Sequence, residues 1–249
     1  MSVTIVRPAI RPTIRPAEAA GLVLIRQARS AAGGAEVLLG RRSQGSRFMP
    51  GVYVFPGGRL SARDRRPSGF AEDLAPPPPG LDARTRTRLA VFARAALRET
   101  FEETGLLLGL PMPAAAPADA ATARAPDVWA AFARAGLAPA FSALGLVARA
   151  ITPTASPLRF HTRFFVADGA NAHGPLGGDG ELEDIRWVPV AAAPALPIPE
   201  VTLRVLEEAL ARRAGDVQDA SGARPATLFR WVGPEMRPRA WPGPLGRRA

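Results

Sequence analysis

The chain has no cysteine and no lysine, and only two histidines (His161 and His173) and one tyrosine among its 249 residues. Without cysteine there is neither a disulfide nor a thiolate metal site, and two imidazoles are too few for a zinc site built mainly on histidine. Any metal must therefore sit on oxygen. Long apolar runs are missing too. None approaches the eighteen or more residues of a spanning helix, and the start lacks the charged-then-apolar order of a signal peptide. The expectation is a soluble cytoplasmic protein with no membrane partner.

What is abundant is arginine, which carries the whole basic side of a +10 net charge. Such a charge ordinarily points to nucleic acid. Here the arginines are spread along the chain rather than clustered, and Ala, Pro and Gly are plentiful, which reads as compositional bias. One Tyr, four Trp and scattered Phe also make a thin stacking platform. Composition argues against nucleic acid as the main partner and leaves the oligomeric state open.

The length suits one core with insertions and tails. Residues 1–16 repeat Arg-Pro every four residues and read as an extended basic arm. Residues 17–213 read as the domain. Its strand candidates are 20–27 and 36–41, forming a hairpin, then 52–55, 144–152, 158–167 and 185–190, with helices over 86–104, 127–135 and 199–213. A proline-rich stretch at about 65–85, including four consecutive prolines from Pro76 to Pro79, reads as an irregular insertion. Residues 109–126 read as loop and 214–249 as an irregular tail in which Trp231 and Trp241 dock on the core. Short strands mixed with a few helices imply an α/β sandwich.

The chemistry concentrates in Arg98-Glu99-Thr100-Phe101-Glu102-Glu103-Thr104-Gly105. On a helix Glu99, Glu102 and Glu103 stand at i, i+3 and i+4 and share one face, while Ala90, Ala93, Leu97 and Phe101 form the core stripe. The acidic face is expected to look outward into solvent or a cleft. Carboxylate oxygens of this kind suit Mg²⁺ or Mn²⁺. A solvated acidic face with an Arg98–Glu102 pair would give the same letters.

The wider pattern resembles the box of the Nudix hydrolase family, G-x5-E-x7-R-E-U-x-E-E-x-G-U, in which U is aliphatic. Five fixed letters (Arg98, Glu99, Glu102, Glu103 and Gly105), each at about 7% usage, arise by chance roughly once in a million starts. Gly58 supplies the first position, and Asp64 stands where the family has Glu. Two departures are visible. Thr100 replaces an aliphatic residue, and 33 residues separate Asp64 from Arg98 where the pattern has seven. The surplus coincides with the proline-rich insertion.

An interrupted box of this kind, together with Arg47 to Gly58 and more loosely Arg159 to Phe165, is similar to the acyl-coenzyme A diphosphatase branch of that family. The resemblance covers about residues 17–213. It lacks the coenzyme A signature that some related branches carry ahead of Phe55-Pro56-Gly57-Gly58. It implies an α/β/α sandwich with a mixed sheet and hydrolysis of the pyrophosphate bond of a nucleoside diphosphate derivative, with coenzyme A or an acyl ester as the branch's substrate.

Family resemblance assigns catalysis to Arg98, Glu99, Glu102 and Glu103, and Mg²⁺ or Mn²⁺ to the three glutamates with the Gly58 carbonyl. Substrate phosphate is expected on Arg159 and Arg163, since a guanidinium binds phosphate bidentately. A packed or surface imidazole is the expectation for His161, and the general base is one of the helix glutamates, Glu181 or Glu183. Two alternatives stay open: a nucleotide-binding regulator that has lost turnover, and an RNA-cap or dinucleotide pyrophosphatase.

Overall fold

The structure, a computed structural model, describes residues 14–28, 33–74, 83–112, 128–214, 226–232 and 235–241. Most of the expected basic arm, residues 75–82 of the insertion and residues 113–127 lie outside them. In chain order the regular elements are β1 (Ala17–Gln27), β2 (Ala35–Arg42), β3 (Tyr53–Val54), β4 (Gly57–Arg59), α1 (Ala83–Thr104), β5 (Leu107–Pro111), α2 (Val128–Arg134), β6 (Leu137–Pro139), β7 (Gly145–Ile151), β8 (Phe160–Asp168), β9 (Ala172–His173), β10 (Leu182–Pro189), α3 (Glu200–Ala214), β11 (Ala226–Val232) and β12 (Glu235–Trp241).

The main sheet runs β10-β2-β1-β8-β7-β11-β12, with β3 on β2 and β4 on β1. β1 with β8 and β7 with β11 are parallel, and the remaining neighbours are antiparallel. This is the expected mixed sheet. The run Leu22-Val23-Leu24-Ile25 is fully buried because β1 lies inside a sheet covered on both faces. Alternation sends Leu22 and Leu24 into the core under α1, and Val23 and Ile25 into the core under α3. The layers are therefore helix, sheet, helix. Among the described residues no helix is long and apolar enough to cross a membrane.

Three expectations are corrected. Residues 109–111, the start of the stretch read as loop, belong to β5, the middle of a second small sheet ordered β6-β5-β9. Its buried Leu107 and Leu108 sit under α1 and α2, so tertiary packing overrides the turn-like Gly109 and Pro111. The region 214–249, read as irregular, contains the hairpin β11–β12, which extends the main sheet by pairing β11 with β7, Leu228 opposite Arg149. Ala226 and Phe229 are buried there. Pro238 obscures the signal, and it is tolerated because β12 is the edge strand.

The insertion is the third. Its described residues 65–74 lack strands and α-helices but are docked rather than loose, and residues 83–85 already belong to α1. Phe70 and Leu74 pack on the α1 core, Ser68 is buried, and Glu72 pairs with the buried Arg94 of α1. Arg94 also donates from Nε to the Asp64 carbonyl at 2.7 Å.

Candidate active site

Strand β4 brings the site together. Gly58 pairs with Ala20 of β1 and lies along the C-terminal half of α1. A Cβ on Gly58 would stand 2.5 Å from the carboxyl carbon of Glu99, and one on Gly57 would meet the Ala20 carbonyl. Only glycines let this backbone pass between β1 and the acidic face. The face is consequently covered by β4 instead of looking outward. Glu103 is 2% exposed, and only Glu102 keeps substantial contact with solvent.

Arg98, itself buried, organises the carboxylates. Its Nε and Nη2 donate to the two oxygens of Asp64 at 2.8 and 2.9 Å, Nη1 donates to Glu102 at 2.6 Å, and Nη2 lies 2.9 Å from Glu99. Nη2 also donates to the Arg59 carbonyl at 3.2 Å. Asp64, 2% exposed, accepts a further bond from the Ser61 N–H at 2.7 Å. The 33-residue excursion thus returns the box acid to the box arginine. Burial alone would lower the Arg98 pKa, but the Asp64 hydrogen bonds and the Glu99 charge more than offset it, and it is raised.

Glu103 accepts from the Gly57 N–H at 2.7 Å. Burial pushes its carboxyl up to about 8, the Gly57 bond and Arg42 pulling down while Glu99 and Glu181 push up. Burial likewise lifts Glu99 to about 7 against the pull of Arg98. Two buried carboxyls that resist ionisation in each other's presence are a site where a hard cation would be stabilising. The oxygen-only donor set fits such an ion chemically. As the side chains stand, no group of three acidic or histidine residues is placed to hold an ion among the described residues, and Glu102 is turned onto Arg98.

The C-terminal end of α1 is held by the Gly-rich loop before β10. Gly105, with φ of +74°, ends the helix and donates to the Phe101 carbonyl at 2.8 Å. Gly177 N–H donates to the Thr104 carbonyl at 2.9 Å and Asp179 N–H to the Glu102 carbonyl at 3.0 Å. Gly178 lies so close to the Glu103 carbonyl that a Cβ has no room. Sequence reasoning missed this docking, since a glycine-rich loop reads only as a loop.

A cleft of about 680 Å³ opens beside Glu99, Gly57 and Gly58 and runs across the α3 side of the sheet. Phe48, Phe160, Phe164 and Trp231 line it, with Glu181 and Arg42 near the carboxylates. Trp231 reaches it from β11. Of the described residues in the apolar stretches 106–112 and 191–199, only Pro199 borders the cleft, and Leu106 to Leu108 are in the α1 core. Glu183 pairs with Arg41 at 3.1 Å and does not border it.

The two arginines expected to bind phosphate lie elsewhere. Phe160, Thr162 and Phe164 face the cleft, so alternation turns Arg163 to the α1 side, stacked 3.9 Å over the Phe92 ring and 3.7 Å from Glu18. Arg159 donates to the Ile14 carbonyl at 2.7 Å and the Thr152 carbonyl at 3.3 Å, tying down the start of the domain. His161 accepts from Arg149 Nε at 2.8 Å, and burial among arginines holds its pKa down at about 3. It is a neutral, packed imidazole.

No family model matches the chain. A solved Nudix hydrolase from Alicyclobacillus acidocaldarius is 31% identical, over 79% of this chain and 92% of that one, with a TM-score of 0.59. The acyl-coenzyme A diphosphatase NUDT19 of Gallus gallus is 36% identical over 114 residues, which are 35% of this chain and 30% of that protein. The match therefore spans less than a third of that relative's length. With the identity to the bacterial structure reaching over nearly all of it, and the box residues gathered around Arg98, the chain belongs to the Nudix hydrolase family.

Proposed function

We propose that the protein is a divalent-metal-dependent hydrolase that cleaves the pyrophosphate bond of a nucleoside diphosphate derivative, and that coenzyme A or an acyl ester is its substrate. The observation that carries the reading is the buried Glu99 and Glu103 pair, Glu99 bordering the cleft and held by Arg98 with Asp64, and Glu103 held by the Gly57 N–H. Nudix hydrolases generally use divalent metals. Glu99, Glu103 and, once turned from Arg98, Glu102 would hold the ion with the Gly58 carbonyl. Bound Mg²⁺ or Mn²⁺ would neutralise charge on the diphosphate oxygens.

The protein's own groups supply position and proton transfer. Arg98 and Asp64 fix where the carboxylates sit, which keeps the reacting geometry preorganised. Of the two loop acids, Glu181 borders the cleft and is our choice of general base for the attacking water. The aromatic and apolar wall from Phe48 to Trp231 suits the non-phosphate arm of an acyl-coenzyme A, and the relative named as an acyl-coenzyme A diphosphatase supports the same choice.

The test is incubation with Mg²⁺ or Mn²⁺ and coenzyme A, acyl-coenzyme A, ADP-ribose, NADH and dinucleoside polyphosphates, with products identified by mass. Release of 4′-phosphopantetheine or its acyl derivative with adenosine 3′,5′-bisphosphate is expected, at the highest kcat/KM of the panel. A kcat/KM for coenzyme A esters well below that for ADP-ribose or NADH removes the substrate assignment and keeps the reaction class. Survival of every compound makes the protein a nucleotide-binding regulator.

A further inference from the structure

Two arginines border the cleft, Arg42 and Arg59. The buried guanidiniums on or against α1 are matched: Arg98 to Asp64, Arg94 to Glu72, Arg163 to Glu18. Arg42, half-buried at the cleft, is not. Among the described residues no carboxylate lies within ion-pair distance of it, and its Nε, like that of Arg41, has no hydrogen-bond partner. Its backbone is fixed on both sides, the N–H donating to the Val52 carbonyl at 2.9 Å and the carbonyl accepting from Gly51 at 3.0 Å. The end of β2 therefore presents this side chain to the cleft, while the neighbouring Arg41 is spent on Glu183.

A half-buried guanidinium that borders a cleft with no counter-charge is a ready partner for an anion entering that cleft. Arg42 and Glu99 border the same cleft. An anion seated between Arg42 and Glu99 would lie at the reacting centre. Arg59, by contrast, is exposed, and its backbone carbonyl rather than its charge serves the site. We infer that Arg42 is the residue that grips the substrate's diphosphate, the role sequence reasoning gave to Arg159 and Arg163. A planar fork with no counter-charge of its own suits bidentate phosphate binding.

The inference rests on the hydrolase reading, so its test includes a probe that needs no turnover. Calorimetric binding of methylenediphosphonate, a non-hydrolysable diphosphate, is compared with Mg²⁺ present for the unaltered protein, Arg42→Ala, Arg42→Lys and Arg41→Ala. KM and kcat are measured beside it on the best compound of the panel. Arg42→Ala should weaken diphosphonate binding and raise KM by about 10-fold or more, the scale of a charge-assisted contact. Arg42→Lys should recover part of the loss, and Arg41→Ala should leave both unchanged, which excludes a general effect of charge. Equal diphosphonate affinity in the unaltered protein and Arg42→Ala, with both melting at the same temperature, overturns the assignment. If the unaltered protein hydrolyses nothing, the hydrolase reading fails while the binding comparison still decides Arg42.

Discussion

At the scale of single residues, the site depends on carboxylates that are placed rather than merely present. Glu103→Gln keeps an acceptor for the Gly57 N–H and removes the charge, so turnover should fall by at least about 10²-fold with the melting temperature little changed. Near-normal turnover would contradict the metal assignment. Gly58→Ala is a sharper probe, because its methyl would collide with the movable end of Glu99 and not with backbone. The fold should survive while turnover drops by about 10-fold to 100-fold, the cost of misplacing a reacting group. His161 gives a pH signature. Its folded pKa, about 3, lies below the unfolded value near 6.5, so the unfolded chain binds the extra proton between them. Stability from this group is present above the unfolded value and is lost as pH falls through that window. Thermal melts from pH 7 to pH 4 should decline less steeply in His161→Leu than in the unaltered protein, and parallel profiles would mean that His161 is protonated when folded.

At the scale of elements, the insertion and the Gly-rich loop both act as braces for α1. A proline-rich segment poor in apolar residues, such as residues 65–80, builds no core of its own. It need not build one, because Phe70 and Leu74 borrow the α1 core and Glu72 supplies the partner of a buried arginine. Glu72→Ala should therefore lower the unfolding free energy by about 3 kcal/mol, as for stripping one member of a buried pair. Denaturation by urea measures this, and a change within error would return the segment to a dispensable loop. Shortening should be harmless only if residues 64–74 are kept.

At the scale of the whole molecule, the C-terminal hairpin completes both the sheet and the cleft. β11 covers the β7 edge, buries Ala226 and Phe229, and carries Trp231 to the cleft wall. Truncation after Ala214 would uncover that edge and a strip of core, an invitation to strand pairing between molecules. The truncated protein should melt at lower temperature and self-associate, as light scattering would record. A monomer with an unchanged melting temperature would show that the hairpin is an appendage. Trp231→Ala in the full chain separates the two roles, since it should raise KM for substrates with an apolar arm while leaving the melting temperature near that of the unaltered protein.

What the sequence determined by itself was whatever depends on local spacing. The i, i+3, i+4 glutamates, Gly105 as helix stop, the apolar β1 and β2 runs and the family they belong to are all written within short windows, where helix and strand periods fix which side chains share a face. Asp64 was legible only as a misplaced letter, because chain spacing does not encode where a 33-residue excursion returns; the Arg98 pair settles it. The remaining features were decided by tertiary structure. Which of 32 arginines meets the cleft depends on strand register, and a shift of one residue exchanges the faces of the sheet. That is why Arg163, the expected phosphate ligand, lies against Phe92, and why Arg42, which no motif marks, stands among the described residues without a counter-charge at the cleft that Glu99 borders.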